Sequence, residues 1–136
     1  MVAWCQEGIG GAGPEVADFR GKIKWIRWSL AGGYLGILPG HAALLGQLGT
    51  GFLSYRADGS KRYVSISGGF LEVKDDHVRV LADRAERAEE IDVERARRAL
   101  ERAQERIASS NIGIDPARAL AAMQRAQARI ETAQRK

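Results

Sequence analysis

From Phe19 to about Ala82 the chain consists of short strand-like segments that turn-forming residues separate. Asp58-Gly59 lies between two alternating segments, Phe52–Arg56 and Arg62–Ser67, and this arrangement predicts a β-hairpin. A second pair of segments, Phe70–Val73 and Val78–Ala82, flanks a polar turn. Short strands with turns every ~8–12 residues are typical of an antiparallel β-sandwich or barrel.

The segment Gly33–Leu45 predicts a strand, a tight turn and another strand. Pro39 presets φ for the first central position of a type II turn, and Gly40 accommodates the positive φ of the second. Apolar residues precede and follow the turn. Turn chemistry alone favours one more hairpin of the β domain.

The pattern changes near Ala82, after which Ala, Glu, Arg and Gln dominate and the apolar spacing becomes helical. Asp92 is placed to cap a helix that ends near Ser109. Asp115 is placed to cap a second helix, with Pro116 at the favoured first position. The apolar stripes are Val93, Ala96, Leu100, Ala103 and Ile107 in the first helix, and Ala119, Met123, Ala126 and Ile130 in the second.

These two narrow, Ala-rich stripes predict an antiparallel helical hairpin with close backbone approach. Alanine contacts bury little apolar area, so we expect the hairpin to be weakly held and easily detached. The predicted fold class is therefore β followed by α. An N-terminal antiparallel β-sandwich occupies residues 1–86, and a C-terminal two-helix hairpin occupies residues 91–136.

The positive charge lies in the helical part. Residues 1–90 carry 11 Lys+Arg and 11 Asp+Glu, whereas residues 91–136 carry 10 and 6, so the net +4 belongs to the helices. An acidic protein surface, a nucleotide or nucleic acid could meet this charge, but no aromatic residue interleaves the arginines to stack bases. Cys5 is the single cysteine, which excludes an internal disulfide and leaves no metal-ligand spacing. We expect neither a transmembrane helix nor a signal peptide.

The order of these segments resembles the epsilon subunit family of the bacterial F-type ATP synthases. The resemblance rests on Pro14-Glu15, Gly21-Lys22-Ile23, the Gly33–Leu45 segment and Ile91-Asp92-Val93-Glu94-Arg95-Ala96, which matches the family's Ile-Asp-x-x-Arg-Ala motif. Residues 1–12 do not match the family's first strand. The match is strong over residues 33–98 and good from there to the end.

The resemblance implies a non-catalytic rotor subunit of the central stalk of a proton-translocating enzyme. Its partners would be the gamma subunit and the c-ring, and the catalytic alpha/beta head in an inhibitory state in which the helices extend. The subunit would lie on the cytoplasmic face of the bacterial inner membrane and meet the membrane only through the complex. Two alternatives remain open, a free-standing ATP-sensing module and a basic nucleic-acid-binding module.

The resemblance also implies a regulatory ATP site, with no cofactor required. Spacing places Arg95 with Arg102 on one helix face and Arg125 with Arg129 on another, so that antiparallel packing could clasp a phosphate chain. The simpler interpretation is solvated arginines paired with neighbouring glutamates, and an Asp92 that only caps its helix. The full set of candidate ATP-binding residues is Glu86, Asp92, Arg95, Arg102, Arg125 and Arg129.

Two further residues, Tyr34 and His41, are candidate contacts with the stalk and ring, because the family's sandwich faces these partners at this end. A lone histidine in a turn is more commonly a local hydrogen-bonding residue than a catalytic one. The chain contains no Gly-x-x-x-x-Gly-Lys-Ser/Thr loop and no aspartate pair placed for Mg²⁺. ATP would therefore be a ligand and not a substrate.

Overall fold

The computed structural model describes residues 2–6, 15–20, 26–30, 33–57, 59–109 and 112–135. Pro14, Gly21–Ile23 and Asp58, used above as sequence signals, lie outside these ranges. The described residues form eight strands and two helices: β1 Val2–Gln6, β2 Glu15–Arg20, β3 Ile26–Leu30, β4 Gly33–Ile37, β5 Leu44–Gln47, β6 Thr50–Ala57, β7 Ser60–Lys74, β8 His77–Arg87, α1 Val93–Ala108 and α2 Pro116–Ala133.

All strand pairs are antiparallel, in the order β1-β2-β8-β7-β6-β3-β4, and β5 pairs with β7. The long strands β7 and β8 take part in both halves of this arrangement. Residues 60–67 of β7 pair with β6, whereas residues 70–73 pair with β5. The first half of β8 pairs with β2, and its second half continues along β7. Two layers joined by shared strands result, which confirms the predicted β-sandwich.

The long strand β7 changes layer at Gly68-Gly69. Both glycines have positive φ, +70° and +111°, a region that other residues rarely adopt. A Cβ on Gly69 would overlap the carbonyl oxygen of Leu81, and one on Gly68 would overlap the Asp83 carboxylate. Only glycine lets the two long strands approach this closely at the bend.

The hydrophobic core lies between the two layers and is formed by alternate residues of the strands. Its members are Ile37, Leu48, Leu53, Tyr55, Val64, Ile66, Leu71, Val73, Val78, Val80 and Ala82. None of these residues belongs to a helix. The β domain therefore has a core of its own, independent of α1 and α2.

The Pro39-Gly40 turn has the predicted conformation but a different role. Gly40 has φ +78°, and the His41 N–H donates to the Leu38 carbonyl at 3.2 Å. However, β4 pairs with β3 and β5 pairs with β7, so the turn crosses between layers and the hairpin expectation is wrong. The reason is that Leu35 and Leu44 pack against the same core from two different layers. The Gly40 N–H also donates to Asp76, which fixes this turn to the β7–β8 turn.

The other local predictions are confirmed. Strands β6 and β7 pair up to Ala57 and Ser60, as the predicted hairpin requires, and β7 and β8 form the second hairpin. The Asp92 carboxylate accepts from the Arg95 N–H at 2.9 Å, and Asp115 caps α2 from the residue before Pro116. A strand forms at Val2–Gln6 and pairs with β2, although residues 1–12 do not match the family's first strand. Pairing with a neighbouring strand is a non-local cause that the local pattern does not reveal.

A helix-covered face with an arginine hollow

Helix α2 lies across the outer face of β6 and β7. Phe52, Ser54 and Ser65 point away from the core, yet they are buried beneath this helix. Two small residues of α2, Ala128 and Thr132, are also buried and lie on the side of the helix opposite Ala119 and Ala126. Small side chains on both surfaces allow the helix to approach the sheet closely.

The opposite side of α2 packs against α1. Ala119 and Ala126 of α2 and Ala96 and Ala103 of α1 are buried, as the predicted stripes require. By contrast, Ile107 is 44% exposed, so the α1 stripe is covered only in part. We call the arrangement in which α2 lies on β6 and β7 the docked arrangement. In it α2 is the layer between the sheet and α1.

The C-terminal end of α2 rests on aromatic rings. The Arg135 guanidinium lies 4.4 Å from the ring centroid of Phe52, a cation–π contact. The rings of Tyr34 and Tyr63 flank Phe52 at centroid distances of 5.5 and 6.1 Å. Phe52 is only 4% exposed, so this contact helps to cover the outer face of β6.

An ion pair also joins the two domains. The Arg129 Nε–H of α2 donates to Glu86 Oε2 of β8 at 2.7 Å, and each side chain is 32% exposed. A short charge-assisted hydrogen bond with partial burial is stronger than an ordinary surface pair. Glu86 and Arg129, two of the predicted site residues, are therefore in direct contact.

An open hollow surrounds this ion pair, with a space of about 240 Å³ that includes solvent. Its lining consists of Ser65, Ser67, Arg84, Ala85, Glu86, Arg125 and Arg129, which we call the arginine hollow. Ser65 lies directly opposite Glu86 in the β7–β8 ladder, and Ser67 lies directly opposite Arg84. The hollow is thus bounded by two strands on one side and by α2 on the other.

Positive charge exceeds negative charge in the arginine hollow. Three arginines face one carboxylate, which Arg129 already engages. Burial, and then the charges of Arg84 and Arg129, lower the pKa of Arg125. The direction shows that the docked arrangement disfavours the charge on Arg125. Such a site can attract an oxyanion.

The remaining predicted ATP-binding residues lie on or before α1. The Asp92 carboxylate caps this helix, and Arg95 and Arg102 are exposed on its surface. None of the three lines the arginine hollow. The structure therefore brings Glu86, Arg125 and Arg129 together, and the clasp between the two arginine pairs stays a prediction.

The two predicted contact residues lie at different features of the β domain. Tyr34 is 50% exposed beside Phe52, near the end of α2. His41 follows the Pro39-Gly40 turn, and its Nδ1 lies 2.8 Å from the Ala42 carbonyl oxygen. Their contact with other subunits stays a prediction.

Sequence reasoning missed Ser65, Ser67 and Arg84 as members of the site. A usable signal exists in Tyr63–Ser67, where small polar residues alternate with the apolar core residues Val64 and Ile66. Serine at successive outward positions leaves room for a covering helix. Which helix residues meet the serines depends on the docking of α2, and the local pattern does not specify that docking.

Two features are absent from the described part of the chain. No group of three or more His, Cys, Asp or Glu there is placed to hold a metal ion. Neither helix, within the same residues, is long and apolar enough to cross a membrane.

Comparisons with known proteins agree with the two-domain fold. Residues 13–88 match the family described as ATP synthase, Delta/Epsilon chain, beta-sandwich domain, and residues 89–134 match its long alpha-helix domain. The ATP synthase epsilon chain of Solibacter usitatus is 56% identical over 125 residues, which are 92% of this chain and 93% of that protein. The ATP synthase epsilon chain of Bacillus subtilis is 42% identical over 102 residues, 75% of this chain and 77% of that protein.

A solved structure is similar as well. A chain in the cryo-EM structure of the Euglena gracilis mitochondrial ATP synthase, OSCP/F1/c-ring in rotational state 1, matches with a TM-score of 0.71 and 30% identity. The match covers 82% of this chain and 70% of that one. The resemblance read from the sequence is thereby confirmed, and the chain belongs to the delta/epsilon chain family of the ATP synthases.

Proposed function

We propose that this chain is a non-catalytic central-stalk subunit of a proton-translocating F-type ATP synthase. Its β domain would link the gamma subunit to the c-ring, and its helices would restrain ATP hydrolysis. The main support is that both family domains occur in order over residues 13–134. In this function the chain would lie at the cytoplasmic face of the bacterial inner membrane, attached only through the complex.

The assembly part of the proposal rests on the separate core of the β domain. Because that core contains no helix residue, residues 1–90 should fold and bind gamma without α1 and α2. The measurement is binding of purified gamma to the full chain and to residues 1–90, with Tyr34→Ala and His41→Ala variants to test the contact residues. A folded fragment with no affinity for gamma would contradict the proposed role.

The regulatory part rests on how weakly the helices are held. Among the described residues, helix α2 meets the sheet through small side chains, an ion pair and a cation–π contact, and α1 is held mainly by α2. Contacts of this kind break at a low cost in free energy. The released helices would carry an excess of positive charge, which acidic surfaces of the catalytic head would attract. We propose that release of the hairpin from the docked arrangement precedes inhibition.

We also propose that ATP is a regulatory ligand of the docked arrangement. Arg125 and Arg129 provide forked donors for phosphate oxygens. Asp92, Arg95 and Arg102 would contribute from α1. A ligand that binds only the docked arrangement favours it by linkage and so opposes inhibition.

Titration of the isolated chain with ATP, without Mg²⁺, tests this ligand. Arg102→Ala and Arg125→Ala should each weaken binding. Arg97→Ala should not, because Arg97 pairs with Glu94 at 3.0 Å on the exposed side of α1. The absence of binding at several millimolar ATP, or equal behaviour of the three variants, would leave the arginines as solvated surface residues.

The two alternative functions have their own signatures. A free-standing ATP sensor would bind ATP but would not purify in a fixed ratio with gamma. A nucleic-acid-binding protein would show affinity that falls steeply with salt.

A further inference from the structure

The last part of strand β8 has the sequence of a helix. Its first part contains Val78 and Val80, the β-branched residues that are typical of strands. From Arg84 to Glu90, by contrast, every residue is Ala, Arg or Glu. These three rank among the best helix formers, and Ala and Glu are depleted in strands. Strand β8 nevertheless continues to Arg87, so contacts with other elements must hold this end in a conformation that its own sequence disfavours.

The contacts that hold the end of β8 are few. Strand β2 pairs with β8 only over its first half, so among the described strands residues 84–87 pair on one side alone, with β7. Of these residues only Ala85 packs against the sandwich core. The Glu86 side chain depends on Arg129 of the docked helix α2. Residues 64–67 of β7 also pair with β6, so the sandwich can keep β7 without the end of β8.

The linker that follows β8 is covered outside the sandwich core. Ala88 and Ile91 are 1% and 5% exposed, yet neither belongs to the core cluster. The Ala88 N–H donates to the Tyr63 carbonyl oxygen at 3.0 Å, and Asp92 then caps α1. Both buried linker residues therefore lie at the boundary between the sandwich and the hairpin. Departure of the helices would expose them to solvent if the linker stayed in place.

A longer α1 would give this segment another stable conformation. Helix α1 has 16 residues, close to the length at which an isolated helix is marginal, and extending an existing helix does not repeat the cost of nucleation. The spacing of Ala85 and Ala88 continues the small-residue face of α1 that contains Ala96 and Ala103. The ion pair between Arg87 and Glu90 has the i,i+3 spacing that a helix also accommodates.

We propose that residues 84–90 are a strand-to-helix switch. When α2 leaves the sheet, the end of β8 and the linker join α1, which then begins near Arg84. At ~1.5 Å per residue, residues 84–92 would lengthen α1 by ~13 Å. A continuous helix would then carry the hairpin away from the sandwich in a defined direction, which a flexible linker would not do. The switch depends on the proposed function only in that the hairpin must leave the sheet.

NMR of the full chain with a released hairpin tests the switch. Ala128 and Thr132 are buried between α2 and the sheet, so the double variant Ala128→Glu/Thr132→Glu places two unpaired carboxylates there and displaces α2. The sandwich core contains no helix residue, so the β domain should stay folded. The Cα shifts of Ala85 and Glu86 should have strand values in the unchanged chain and helical values in the double variant.

Two substitutions of Arg87 provide a matched comparison. Ladder bonds alternate along an antiparallel pair, and the Ala88 N–H is bonded to Tyr63, so the Arg87 N–H faces the open edge and proline is tolerated there. Proline also keeps the preceding Glu86 extended, whereas alanine favours a helix. Both substitutions remove the exposed ion pair of Arg87 at 3.7 Å. In the released double variant, helical shifts at Ala85 and Glu86 should persist with Arg87→Ala and disappear with Arg87→Pro.

The unchanged chain provides a second measurement that needs no substitution. Saturation-transfer NMR detects the shifts of a sparsely populated form in exchange with the docked one. The minor-form shifts of Ala85 and Glu86 should be helical and should match those of the double variant.

Several results would overturn the proposed switch. These are strand or coil shifts at residues 84–87 in the double variant, helical shifts that survive Arg87→Pro, minor-form shifts of the strand type, or α2 amides that stay protected in the double variant. The central-stalk function would still stand after any of them, because binding to gamma is measured separately and does not depend on the conformation of residues 84–90 after release.

Discussion

The contact between Glu86 and Arg129 is the place where the docked arrangement can be weakened with least damage to either domain. Substituting Arg129 by Ala removes the only described ion pair between β8 and α2. The core of the β domain does not include this side chain, and neither do the buried alanines between α1 and α2. The helices should therefore leave the sheet more often while the β domain stays folded.

The size of the effect follows from distance and burial. Fully exposed pairs contribute ~0.2–1 kcal/mol, and breaking a fully buried pair costs ~3–5 kcal/mol. This pair is short, 2.7 Å, with both side chains 32% exposed, so about 1–2 kcal/mol is the reasonable value. That free energy corresponds to a roughly 5- to 30-fold increase in the undocked population.

The positive charge of Arg125 changes the free energy that the Arg129→Ala substitution measures. Loss of Arg129 also removes repulsion of Arg125, so Arg129→Ala alone understates the strength of the pair. A double-mutant cycle with Glu86→Gln separates the two contributions. The coupling energy should be about 1–2 kcal/mol.

Amide hydrogen exchange of the full chain is the assay. A released, Ala-rich helix of this length is marginal in water, so the α2 amides exchange when undocking occurs. Arg129→Ala should lower their protection by about 5- to 30-fold and leave β6 and β7 protected. The control is Arg97→Ala, which breaks a pair at 3.0 Å with Glu94 whose side chains are 59% and 67% exposed, and it should change α2 protection very little. Equal effects of the two variants would contradict a role of the Glu86–Arg129 pair in docking, as would an equal loss of protection in the β core.

Two further substitutions test the fold that supports the site. Gly69→Ala should destabilise the β domain by at least about 2 kcal/mol in denaturant unfolding, since the new Cβ overlaps the Leu81 carbonyl at positive φ. Gly40→Ala, with positive φ but open space, should cost only about 1 kcal/mol, and equal costs would contradict the bend described here. Arg135→Gln should cost about 0.5–1 kcal/mol through its contact with Phe52 and expose the last turn of α2 to proteolysis. An unchanged cleavage rate would show that this contact does not hold the helix end.

The sequence predicts the elements of this fold better than their arrangement. Helix starts at Asp92 and Asp115 follow from capping chemistry, which acts over a few residues. The Pro39-Gly40 turn also follows from local chemistry, but its role as a crossing between layers depends on which strands pair. Strand pairing is non-local, and the spacing of apolar residues does not specify it.

The candidate site shows the same limit. Arg125 and Arg129 are recognisable as a pair because their spacing places them on one helix face. The sequence does not mark Arg84 as a site residue, because a single arginine in a strand is common. Arg84 becomes part of the site only because α2 covers the strand and brings Arg125 and Arg129 close to it. Ser65 is similar, because its burial results from the helix and not from the core.

ATP hydrolysis by the assembled enzyme, with and without residues 91–136, tests the regulatory role of the helices most directly. We compare complexes that contain the full chain, the shortened chain and Arg97→Ala, at matched content of gamma and over a range of ADP concentrations and membrane potentials. We expect that the shortened chain still assembles and supports synthesis, while hydrolysis rises above that of the other two complexes. Hydrolysis that stays the same in all three, with assembly intact, would contradict a regulatory role for the helices.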